Sequence, residues 1–110
     1  MRYVLRTDGS TEQLPRPVNM KEAAKLIGAL VLDIVPLRHL GRPMHVMLVN
    51  DRGYETRIEE REDGVTELVP TKALYPVNRA ATKLYHANCV PGTTHEIVGD
   101  VIVCPDEDYD

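Results

Sequence analysis

The chain has 110 residues, with 13 Lys and Arg against 17 Asp and Glu, 43% hydrophobic residues, two Cys, five Tyr, and neither Phe nor Trp. That length supports one compact domain, and the apolar fraction excludes wholesale disorder. A net charge of −4 speaks against a broadly basic nucleic-acid binder, and a base-stacking surface could draw only on Tyr, His and Arg.

In chain order, residues 2–7 read as a first strand, Asp8-Gly9 as a tight turn and residues 10–14 as a short second strand. Pro15 and Pro17 then enforce an extended connection. Residues 19–27 form the clearest helix. Met20, Ala23, Ala24 and Ile27 share one face, Asn19 can cap the first turn, and Gly28 suits the left-handed position that ends a helix. Residues 30–37 are rich in β-branched side chains and read as a central strand. Residues 38–43 form a basic loop, and 44–50 a second buried strand. A turn at 51–53 leads into an alternating strand at 54–60. Another turn, 61–64, precedes a strand at 65–69. Pro70 and Pro76 bracket a short extended or turn segment.

Residues 78–87 read as the second helix, with Asn78 as N-cap and Ala81, Leu84 and Tyr85 on its apolar face. Residues 89–94 form a loop. Residues 96–103 form a last strand with a bulge or close approach at Gly99-Asp100. With no large aromatic rings other than Tyr, Met20, Met44 and Met47 are expected to fill the core and Tyr85 to anchor the second helix. The predicted class is α+β: a mostly antiparallel sheet of about five to six strands with two helices packed against it. Residues 1–104 are read as a single domain and 105–110 as a flexible acidic tail.

No run approaches the roughly 20 apolar residues of a membrane span. The first residues lack the apolar centre of a signal peptide, so a cytoplasmic location is expected. Cys89 and Cys104 are expected to stay reduced there. Charge is uneven: residues 1–50 carry 7 basic and 4 acidic groups, residues 51–110 carry 6 and 13.

Candidate chemistry is sparse. Ser10 has no glycine elbow, and Cys89 has only sequence proximity to His86 and His95. Those three with Cys104 could supply zinc ligands, but their spacing lacks paired knuckles. The carboxylates at Glu59, Glu60, Glu62 and Asp63 fall at a hairpin turn, where solvation disfavours acid–base catalysis. One combination stands out: the loop residues Arg38, His39 and Arg42 together with the helix start at Asn78 and Arg79. Guanidinium groups and a helix N-terminus both suit an anion, so these five are the predicted ligand-binding residues if the fold unites them. No catalytic residue, metal or cofactor is assigned.

The stretch from Pro76 to Tyr85 (PVNRAATKLY), the later Ile97 to Val103 (IVGDVIV), Leu26-Ile27-Gly28-Ala29 and Val49-Asn50-Asp51 resemble a family of small domains of unknown function carried by bacteriophages and other mobile elements. The resemblance covers roughly residues 20–104, with 59–75 longer than expected, as for an added hairpin. It implies a small phage-encoded accessory protein, without assigning chemistry; the lack of a catalytic constellation, the basic loop and the helix start add the expectation of a non-enzymatic protein that binds a host protein or sequesters a small phosphorylated ligand. The alternative is an acidic inhibitor of protein interactions, or a nucleic-acid mimic. Direct nucleic-acid binding is disfavoured.

Overall fold

A computed structural model describes residues 2–40, 44–50, 54–88 and 94–106, with backbone alone at 54–58 and 68–73. It has strands β1 (Tyr3–Leu5), β2 (Thr11–Gln13), β3 (Leu32–Leu37), β4 (His45–Asn50), β5 (Tyr54–Glu60), β6 (Thr66–Ala73) and β7 (Val101–Pro105). The helices are α1 (Met20–Ile27) and α2 (Arg79–Asn88). Five strands form one sheet in the order β2-β1-β7-β4-β3, with every pairing antiparallel. The strands β5 and β6 form a separate two-stranded sheet. The α+β class read from the sequence is what the chain adopts.

Side chains of successive strand residues point to opposite faces, and the two faces carry separate cores. Val46 and Leu48 of β4 and Ile102 and Cys104 of β7 pack with Val4, Val18, Ala23 and Ile27, beneath α1. Met47, Val49, Val101 and Val103 pack with Leu5, Leu37, Ala81 and Ile97, against α2. Being covered on both faces is why β4 and β7 read as continuous apolar runs rather than alternating ones. Tyr85 is partly buried against the α2-side core, as expected. Met47 is buried and Met20 partly so, but Met44 precedes β4 and is exposed.

The α1 boundaries follow the sequence. The Asn19 side chain accepts from the Glu22 amide at 2.9 Å, and Gly28 closes the helix at φ 67°. Four readings change. Residues 32–37 form an edge strand, not a central one. The last strand starts at Val101, because Gly99 at φ 77° turns the chain and only a Val77–Val98 bridge precedes it. It also runs through buried Pro105, and the Asp106 amide donates to the Met44 carbonyl at 2.8 Å, so the tail predicted from residue 105 begins too early. Residues 107–110 lie outside the described residues. The strand predicted to stop at 69 continues to Ala73, and Pro70 is accommodated where the register shifts between Glu55 and Thr56.

The β3 edge is guarded. The Ile34 amide donates to the Asp33 carboxylate at 2.9 Å, and Pro36, two residues on, has no amide to offer. Restoring those donors with Asp33→Ala and Pro36→Val is expected to promote strand-to-strand association. Sedimentation velocity should show concentration-dependent self-association beyond that of the wild type.

Burial raises the Tyr3 phenol above its ordinary 10.0. The neutral ring is therefore preferred in the fold. Its stabilising contribution is complete below pH 10.0 and declines as pH rises through the folded-state value. Denaturant titrations at rising alkaline pH should show that decline, and Tyr3→Phe should flatten it.

Candidate functional site

Asn78 is fully buried. Its side-chain amide donates to the carbonyls of Leu5 and Gly99, both at 3.0 Å, and its Oδ1 accepts from the Ala81 amide at 3.0 Å. The two donors of the amide are thus committed to β1 and to the segment before β7, and the oxygen caps α2. The backbone around it is tied equally closely. The Asn78 amide donates to the Ile97 carbonyl at 2.8 Å, and the Gly99 amide to the Pro76 carbonyl at 2.9 Å. A Cβ on Gly99 would also meet the Tyr75 ring at 3.6 Å.

One turn further along α2, the Thr82 hydroxyl accepts from the Ile97 amide at 2.9 Å. Beside this junction Asp100 accepts from the Thr7 amide at 3.0 Å and from the Arg6 guanidinium at 2.8 Å. Arg6 also reaches Glu12 at 2.6 Å. Hydrogen bonds to Asp100 and then Glu12 raise the Arg6 pKa above its usual value.

The other half of the predicted ligand site lies elsewhere. The His39 amide donates to Asn88 Oδ1 at 2.7 Å, and Asn88 in turn donates to the Leu84 carbonyl at 2.9 Å. Asn88 is the last residue of α2, whereas Asn78 precedes its first. Ten helical residues rise about 15 Å. Arg38 and His39 therefore sit at the C-terminal end of the helix, and Asn78 and Arg79 at the N-terminal end. The structure does not bring these groups into one pocket. Arg38 and Arg79 are exposed, and Arg42 lies outside the described residues. Cations near a helix C-terminus are favoured by its partial negative charge, which gives Arg38 a structural reason for its place.

The zinc combination is likewise separated. Cys104 is buried in the core under α1. His86 Nε2 contacts the His95 carbonyl at 2.7 Å, and the His95 ring meets Tyr85 edge-on at 5.8 Å, on the α2 side. The sheet stands between them. Cys89 lies outside the described residues. Among the described residues no three His, Cys, Asp or Glu groups gather as a metal site.

The carboxylates read as a solvated hairpin turn have a more definite setting. The tip joining β5 and β6 is fixed by the Arg61 amide donating to the Val65 carbonyl at 2.8 Å and the Val65 amide donating to Asp63 at 3.0 Å. From Glu59 to Glu67 the chain carries five carboxylates and one guanidinium. That guanidinium, Arg61, lies 3.3 Å from Asp63 and 3.9 Å from Glu67. Glu59 and Glu67 stand directly opposite each other in the ladder. Like charges in that relation are unfavourable, and exposed ion pairs return little. A hairpin of seven or eight residues per strand is about 24 Å long. The element is an acidic arm set apart from the main sheet's ladder.

Comparison with protein-family models, with curated proteins and with solved structures finds no match to this chain. Among the described residues no helix is long and apolar enough to cross a membrane.

Replacing Asn78 with Ala leaves two buried carbonyls without their donor and α2 without its cap. A loss of about 2–4 kcal/mol is expected in urea unfolding. Arg38→Ala and Arg79→Ala should each stay within about 0.5 kcal/mol of wild type.

Proposed function

We propose that this chain is a non-enzymatic, phage-type accessory protein that engages a basic host protein through its acidic arm. The carrying observation is the arm itself: five carboxylates within nine residues, two of them paired across the ladder, on a hairpin outside the main sheet. An isolated two-stranded hairpin is marginal in water, and facing carboxylates weaken it further. A partner presenting Lys or Arg side chains would relieve both costs, and charge complementarity would steer the encounter.

A small phosphorylated ligand has less support. The groups expected to cradle it stand at opposite ends of α2, and the Asn78 donors are already engaged.

The test is capture from a bacterial host lysate by immobilised protein at low and high salt, beside a variant carrying Glu59→Gln, Glu60→Gln, Glu62→Gln and Asp63→Asn. A specific basic protein should be retained at low salt and lost at high salt. The variant should bind it at least about tenfold more weakly while unfolding at an equal or higher temperature. Capture that ignores salt, or that the variant retains, rules the arm out as the contact.

A further inference from the structure

The two helices do not finish covering the sheet. Five strands spaced at about 4.8 Å span about 19 Å, whereas a helix is about 10 Å across. Helix α1 lies over β4 and β7, and it is only two turns long. The face of β3 on that side is left open. Leu32 packs into the α1-side core, so Ile34, two residues on, points to the same face, and it is exposed. Just before β3, Leu30 is 86% exposed and Val31 is exposed as well. Leu30 and Val31, with Ala29 and Leu32, line a groove of about 500 Å³ whose other wall is Met20, Lys21, Ala24 and Lys25 of α1.

We infer that this groove is a second interaction surface, and that its occupant is an amphipathic helix of a partner protein with carboxylates beside its apolar stripe. Three features select that occupant. The charged side chains lining the groove are Lys21 and Lys25, both cations, so the complementary partner is acidic. The rest of the lining is apolar (Ala24, Ala29, Leu30, Val31 and Leu32 among it), so the partner sets an apolar stripe beside its carboxylates, as an amphipathic helix does. A strand is disfavoured, because Asp33 and Pro36 block the β3 edge. Leu30 is the natural anchor, as an apolar side chain held almost wholly in water beside a recess that can receive its neighbour.

The test uses two synthetic 15-residue amphipathic peptides with the same Leu stripe, one flanked by Glu and one by Lys, titrated into the isotopically labelled full chain. The Glu peptide should bind at least about tenfold more tightly than the Lys peptide. Amide shifts should concentrate in residues 20–34. Leu30→Asp should weaken binding about tenfold, and since Leu30 is exposed its unfolding temperature should stay near wild type. Lys21→Glu with Lys25→Glu should reverse the preference between peptides. The arm variant described above should bind the Glu peptide like wild type, so this inference stands or falls separately from the arm. Equal affinity for both peptides, shifts centred elsewhere, or an unaffected Leu30→Asp variant would overturn it. So would a wild-type dimer that Leu30→Asp dissociates, or Leu30-dependent flotation with phosphatidylserine vesicles in the absence of peptide binding.

Discussion

The amide of Asn78 holds the α2 side of the molecule in register. One planar group binds the end of β1, the approach to β7 and the first turn of α2, three places far apart in sequence. A hydroxyl could not span them, since it has a single proton to donate. A carboxylate would turn both donors into acceptors facing carbonyl oxygens. The left-handed turn at Gly99 and the close Tyr75 ring bring the carbonyl within reach. Once these are fixed, Thr82 meets Ile97, and the helix rests on Val101 and Val103 through Ala81. The residue that best fitted an anion site is therefore spent on the fold, a recurrent hazard of reading helix starts as ligand sites.

Legibility in the sequence followed the range of the interactions. Helix α1 was readable because its apolar period, its Asn19 cap and its Gly28 terminator are all local. The buried character of β4 was readable from composition. The position of β3 in the sheet was not, because the same β-branched run serves an edge or a centre. The marks of an edge, Asp33 and Pro36, were present but carry meaning only once the neighbouring strand is known. The last strand was placed five residues early because Ile97 and Val98 are apolar and buried for reasons other than ladder pairing. The site failed for a more general reason. Whether Arg38 and His39 meet one end of α2 or the other depends on contacts such as His39 to Asn88, 49 residues apart, which no local pattern encodes.

The charge split of the sequence also acquires a location. The excess of cations in the first 50 residues includes Lys21 and Lys25 on α1. Part of the acidic excess lies on the arm, with five carboxylates from Glu59 to Glu67, which the main sheet does not pair with. Apolar surface accompanies the cations, with Leu30, Val31 and Ile34 near them. A molecule with two such unlike surfaces is suited to holding two partners at once, and neither surface depends on the other for its shape.

The place of β7 has a consequence for how the sheet comes together. Among the described strands Val101–Pro105 is the middle one of the five, paired with β1 on one side and β4 on the other. The hairpins β1–β2 and β3–β4 are local pairings, whereas their union waits on partners far apart in sequence, such as Tyr3 and Val103. Closing so long a stretch of chain slows folding, and until β7 docks these two hairpins share no ladder and leave their apolar faces open to proteases. The speed of folding and the resistance to proteolysis therefore rest on one strand.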